Sequence, residues 1–308
     1  MTDVSVITPS YNRAELLPRV WLSLRNQKAS FEWIVVDDCS SDNSRDVCES
    51  FKDSRVKYYK LPENRGANAA RNAGVQNATG RYIVFLDSDD ELVSDGLSLM
   101  VAKMGTAGLE IGAIAFTCVI AETGEKVSPL ADGRTLNEFD VVCANGFGIG
   151  DRILVYRREV FESNLLPEEV RDCEHVFVYG VSRKWNYLLI NLPLSIVHRQ
   201  TDNLSNSASM VTRSFDMAWS FEMVIKNHDD VLMKCPAARF GYQKKALYRY
   251  LVAGHREEAW RLYKSINSQS RSILQIALAT MILGCGFFNL ARFEKWRIDR
   301  LNRKLLGS

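Results

Sequence analysis

The sequence predicts an α/β fold in which a mostly parallel central sheet is flanked by helices and followed by a helical C-terminal region. Three observations carry this. Runs such as VSVITP (4–9), FEWIVVDD (31–38) and RYIVFLD (81–87) have strand length and are apolar on both faces, as strands covered from both sides must be. Segments with helical spacing and polar starts separate them. Strand signals stop near residue 212, beyond which 214–234, 238–252, 255–267 and 272–306 all suit helices, so the expected division is 1–212 and 213–308.

In order, the strand at 4–9 leads through Asn12, a candidate cap, into a helix carrying Leu16, Leu17, Val20 and Leu24 at helical spacing. Pro18 fits if that helix begins near residues 14–17, because a first turn tolerates proline. The strand at 31–38 is followed by the polar start of a helix at 40–51. VKYYKL (56–61) is a third strand, GANAARNAGVQNA (66–78) an alanine-rich helix that stops near Gly80, and 81–87 a fourth strand. Further on, 111–121 and 153–158 read as strands, 122–150 as loop-rich, 173–185 as a helix and 187–199 as extended chain.

Composition narrows the function. The 308 residues are 46% hydrophobic and 25% charged with a net charge of +2, which does not indicate a globally basic nucleic-acid binder. Seven scattered cysteines without a CxxC pair suit free thiols in a reducing compartment and argue against a zinc site. The first residues lack the basic, apolar and small-residue segments of a secretory signal, so a cytoplasmic protein is expected.

Ligands of open α/β sheets bind at the carboxyl ends of the strands. Those ends carry Thr8-Pro9-Ser10-Tyr11, Asp37-Asp38, Leu61-Pro62-Glu63-Asn64 and Asp87-Ser88-Asp89-Asp90. Two acidic clusters on one edge repel each other unless a cation or a hydrogen-bonding ligand lies between them. No GxGxxG follows the first strand and no Walker motif occurs, which removes dinucleotide oxidoreductases and P-loop NTPases. An EF-hand would need glycine where Leu92 stands. A phosphatase using a DxD nucleophile carries it after its first strand, not its fourth.

VSVITPSYNR, WIVVDDCSSDNS, ENRGANAARNAG and FLDSDD, in that order, resemble the motifs of family 2 glycosyltransferases, and the likeness covers about residues 4–205. The resemblance implies a GT-A fold, Rossmann-like, and an inverting, metal-dependent transferase. Its donor is a nucleotide sugar, most simply a UDP-sugar, and its acceptor a hydroxyl of a glycan or lipid-linked glycan in surface polysaccharide synthesis. A divalent ion, Mn2+ or Mg2+, fits a diphosphate whose charge grows as the glycosidic bond breaks, and carboxylates are its expected ligands. By resemblance Asp89 and Asp90 are the metal candidates, and Asp87 or Asp89 the ribose candidates. The resemblance also implies that Asp38 accepts the N3 hydrogen of uracil, that Pro9 and Tyr11 complete the base pocket, and that Arg71 faces the diphosphate, with Asn68 and Arg65 as nearby alternatives. RDCEHVFVYGVSRKW resembles the acceptor-side helix, so Glu174 is the candidate general base. His175 replaces the aspartate usual there, which leaves Asp172 and His175 as alternatives. His198, in HRQTDNLS, is a candidate metal or phosphate contact, although Gln200 is nearer the family's histidine position. A nucleotide-sugar-binding regulatory subunit without transfer activity is the rival reading.

The tail is distinctive. Residues 272–291 are largely apolar and residues 291–308 hold six Lys or Arg against two acids, a pattern suited to peripheral contact with the anionic cytoplasmic face of an inner membrane. A helix packed on the protein with a solvated basic face suits the same residues.

Overall fold

The computed structural model describes residues 2–127, 129–147, 151–170, 173–198 and 213–266. The chain divides into two compact units, Met1–Arg199 and Gln200–Ser308. In the first unit the elements run β1 (Val4–Ser10), α1 (Leu17–Leu24), β2 (Phe31–Asp37), α2 (Ser44–Ser50), β3 (Val56–Lys60), α3 (Ala67–Asn77), β4 (Tyr82–Phe85), β5 (Glu91–Leu92), α4 (Gly96–Thr106), β6 (Ile111–Ile120), β7 (Lys126–Val127), β8 (Thr135–Leu136), α5 (Glu138–Val142), β9 (Ile153–Arg157), a 3-10 turn (Arg158–Glu162), α6 (Glu174–Ser182) and β10 (Asn186–Val197).

One sheet of order β3-β2-β1-β4-β9-β6-β10-β5 holds the unit together, with β7 on β6 and β8 on β10. β3, β2, β1 and β4 pair in parallel, as the unbroken apolar runs require. β9 enters antiparallel to both β4 and β6, while β10 again runs parallel to β6. Every residue of β1 and β2 is buried. Their side chains alternate between two cores. Val4, Val6, Trp33 and Val35 meet Leu17, Val20 and Leu24 of α1 and Leu97, Met100 and Met104 of α4 on one face. Ile7, Ile34 and Val36 meet Ala70 of α3 and Phe177 and Val181 of α6 on the other.

Two local features follow from residue type. α3 lies so close to β1 that a Cβ on Gly74 would stand 2.4 Å from the Ile7 Cγ2, so only glycine lets the helix approach. Pro193 cannot donate to the ladder, and the register of β10 against β6 shifts on both sides of it. The region 122–150, read from sequence as loop, contains β7, β8 and α5, elements too short to show a period. α5 starts at a capping box between Asn137 and Asp140.

The second unit contains α7 (Ser214–Asn227), α8 (Asp229–Leu232), α9 (Pro236–Val252) and α10 (Arg256–Ser265), matching the helical reading up to residue 266. Ala218, Ala246, Leu247, Tyr250, Ala259, Leu262 and Ile266 form its core. The apolar segment 272–291 and the basic tail lie outside the described residues, among which no helix is long and apolar enough to cross a membrane. Cys39, Cys48, Cys118 and Cys173 are free thiols as expected.

Candidate active site

The carboxyl ends of β2 and β4 flank the end of β1, because Ser10 pairs with Asp37 on one side and Ile7 with Phe85 on the other. The two acidic segments therefore share one edge. Asp38, 4% exposed, accepts the peptide N–H of Arg65 at 2.7 Å on one carboxylate oxygen and that of Gly66 at 2.7 Å on the other. It thereby fixes the start of α3, where Gly66 takes φ +89, a conformation that favours glycine. Asp37, also buried, accepts from the Ser40 N–H at 2.8 Å and the Tyr58 hydroxyl at 2.5 Å. Asn12, at φ 51, accepts from the Ser41 N–H at 2.9 Å, and the Ala14 N–H reaches Asp42 at 2.9 Å. These bonds stitch the β1–α1 loop to the β2–α2 loop, with Pro9 buried in β1 and the Tyr11 ring 49% exposed beside them.

Arg71 stands at the centre. Its side chain is 6% exposed, and Nη2 donates to Asp87 Oδ1 at 2.7 Å while Nη1 lies 2.6 Å from Glu174 Oε1. Its Cζ is 5.9 Å from the centroid of Phe85, one of a packed aromatic group with Tyr156, Phe161 and Phe177. One guanidinium thus joins a carboxylate at the end of β4 to one in the first turn of α6. Asp87 and Glu174 are each half exposed, so the pair opens outward from this apolar floor. His175 follows Glu174 about 100° further round the helix. Its ring packs edge-on against Tyr179 at 5.9 Å. Asp172 lies outside the described residues. Asn68 is 1% exposed, and its amide donates to the Pro167 carbonyl at 2.8 Å.

The DSDD segment is electrostatically crowded. Burial, then the charges of Asp87, Asp89 and Asp151, push the Asp90 carboxyl up to about 8, and burial with Asp87 raises Asp89 as well. A divalent cation relieves such crowding. Among the described residues no three His, Cys, Asp or Glu side chains gather into a protein cage for a metal. The His198 peptide N–H bonds Asp90, while its ring lies 2.7 Å from Glu91 Oε1. The end of β10 is therefore beside the cluster, with the imidazole turned to Glu91.

Sequence reasoning missed several neighbours. Arg13 Nη1 lies 3.8 Å from Asp89, and Arg19 Nη2 donates to the Asp89 carbonyl at 2.5 Å. Asn72 and Glu168 also belong here, as described below. Arg13 sits within the TPSYNR motif and was legible there; Asn72 sits within AARNAG but its partners are distant in sequence.

An open sheet with acidic strand ends, and a buried arginine between Asp87 and Glu174, is the arrangement of a glycosyltransferase of the GT-A fold. The family model described as "Glycosyl transferase family 2" matches residues 5–165, and the chain belongs to that family. It is 32% identical over 297 residues to the GalNAc(5)-diNAcBac-PP-undecaprenol beta-1,3-glucosyltransferase of Campylobacter jejuni, covering 92% of this chain and 94% of that protein. It is 40% identical over 102 residues to the UDP-Glc:alpha-D-GlcNAc-diphosphoundecaprenol beta-1,3-glucosyltransferase WfgD of Escherichia coli, covering 33% of this chain and 40% of that one. The chain spans about half the length or less of several other relatives it matches. The mannosyltransferase PcManGT of Pyrobaculum calidifontis, solved with GDP-Man and Mn2+, shares the fold at TM-score 0.57 and 18% identity, covering 99% of this chain and 87% of that one. These relationships favour an enzyme over the regulatory-subunit reading.

Proposed function

We propose that this enzyme transfers a hexose from a UDP-sugar, with inversion, to a hydroxyl of an undecaprenyl-diphosphate-linked glycan during surface polysaccharide synthesis. The observation that carries the reading is the Arg71 bridge between Asp87 and Glu174. The candidate donor-side and acceptor-side carboxylates meet at one cation, which holds the base candidate at a fixed spacing from the donor site. The named activities of the Campylobacter and Escherichia relatives, glucosyl transfer to lipid-linked N-acetylhexosamine glycans, support the donor and acceptor classes.

In this reading Asp38 reads the uracil edge, with Pro9 and the exposed Tyr11 ring completing the base pocket. Asp87 or Asp89 accepts from the ribose. Asp89 and Asp90 would hold Mg2+ or Mn2+, which neutralises diphosphate charge when bound. Arg71 places positive charge beside the diphosphate, and Glu174 takes the acceptor proton. His175 orients the acceptor side, and His198 sets the far wall through its contact with Glu91. Asn68 stands one turn before Arg71 on the donor side of α3, its amide also holding the Pro167 carbonyl. The catalytic part occupies 1–212, and the basic residues within 213–308 make the peripheral contact with an anionic membrane that a lipid-linked acceptor calls for.

The test is UDP release from UDP-glucose, UDP-galactose and UDP-GlcNAc with undecaprenyl-diphosphate-linked GlcNAc, in manganese and in chelator. Acceptor-dependent release is expected, and Glu174→Gln should keep UDP affinity while transfer falls about 100-fold to 10,000-fold. Full activity of Glu174→Gln beside a dead His175→Ala would move the base by one residue.

A further inference from the structure

Asn72 lies on α3, 2% exposed, away from the open face of the site. Its side-chain amide makes two reciprocal bonds with one residue: Nδ2 donates to the Leu166 carbonyl at 2.9 Å, and Oδ1 accepts the Leu166 N–H at 3.0 Å. A side chain here does what a neighbouring strand would do for a backbone. The same Nδ2 donates to Glu168 Oε1 at 2.7 Å, and the other Glu168 oxygen takes Arg65 Nη2 at 2.5 Å. Four residues earlier on the helix, Asn68 holds the Pro167 carbonyl. One turn of α3 therefore fixes segment 166–168, which leads into α6, while Arg71 from the same turn holds Glu174.

Leu166 is itself 3% exposed and packs in the core with Phe161 and Phe177, so the clamp ends in a rigid wall. Only a primary amide fits the pattern. A carboxylate at position 72 loses the donor that Leu166 and Glu168 require, and an aliphatic residue leaves a buried N–H and carbonyl unpaired. We propose that Asn72, with Glu168 as its partner, is a positioning residue that sets the acceptor-side carboxylate Glu174 against the donor. The proposal rests on the reading of Glu174 as the base. Asn72 touches no reacting atom; it acts by fixing where α6 begins, and small displacements of a catalytic group cost turnover steeply.

A double-mutant cycle tests it, run in manganese with UDP-glucose and undecaprenyl-diphosphate-linked GlcNAc, or with the donor of the panel above that the wild type turns over. Asn72→Asp should bind UDP within about twofold of wild type by calorimetry and keep the KM for donor, while kcat falls about 10-fold to 100-fold. In a Glu174→Gln background the same change should cost less than about threefold, because there is no base left to misplace. Equal losses in both backgrounds, unchanged kcat, or a loss confined to UDP affinity overturns the proposal. An active Glu174→Gln enzyme instead removes the base reading, which is a separate result in the same cycle. Should Asn72→Asp fail to fold, Glu168→Gln, whose side chain is 33% exposed, is read through the same cycle with an expected loss of about 3-fold to 10-fold in kcat.

Discussion

Replacing Asp38 by Asn separates two roles that one carboxylate performs. Asp38 is 4% exposed, and each of its oxygens accepts a backbone N–H at 2.7 Å, from Arg65 and from Gly66. An Asn of the same size offers one oxygen and turns its NH2 toward the other N–H. One charge-assisted bond is lost, worth about 1.5–3 kcal/mol, and a buried donor is left unpaired at roughly 1–3 kcal/mol, so about 2–5 kcal/mol is expected after relaxation. In a domain of this size that lowers the melting temperature by on the order of 10 °C. The stacked pair Trp21 and Trp33, centroids 5.7 Å apart and interplanar angle 6°, gives a near-ultraviolet dichroism signal within the same unit for a thermal scan. If Asp38 reads N3–H of uracil as proposed, UDP and CDP affinities measured alongside should converge in the variant. A variant as stable as wild type within about 0.5 kcal/mol would refute the argument that this carboxylate holds the entry to α3.

Glu32, 4% exposed, is pressed upward by burial yet held at about 2, from 4.5, by the Lys57 ammonium, the Ser5 hydroxyl and the N–H and hydroxyl of Thr79. A depressed carboxyl binds fewer protons folded than unfolded, so its stabilisation of about 3 kcal/mol is complete above pH 4.5 and disappears as pH falls toward 2. Urea midpoints of Glu32→Gln should therefore trail wild type at pH 6 and approach it below pH 4; a pH-independent gap contradicts the assignment. Gly74→Ala drives a methyl into Ile7 and should cost about 1–3 kcal/mol in urea unfolding, whereas an unchanged midpoint would mean α3 can move off β1 freely. UDP should bind weakly in chelator and tightly in manganese, and Asp89→Ala should erase that difference and lower transfer by about 100-fold or more; equal affinity with and without the ion removes the metal role.

The central strands were legible because burial on both faces leaves no room for polar residues: VITP, IVVDD and YIVFLD announce themselves. β7, β8 and α5 were not, since elements of two to five residues carry no period to read. At the site, the motif residues Asp38, Arg71, Asp87 and Asp89 could be picked out from the sequence. What they grip could not. That Arg71 meets Glu174, or that Asn72 meets Leu166 across 94 positions, depends on how α6 is laid against α3, and nothing in the local composition encodes it.

α3 is attached at one end to the strand that carries Asp38 and along its length to the segment that carries Glu174. Inserting or deleting a single residue within it would rotate Asn72 away from Leu166 by about 100° while leaving the Asp38 attachment in place. In the proposed reading the helix is therefore a fixed gauge between the donor and acceptor sides. Chimaeras that exchange acceptor specificity among relatives should take residues 65–77 and 164–182 as one cassette, because a graft joined between them would pair one parent's gauge with the other's acceptor wall.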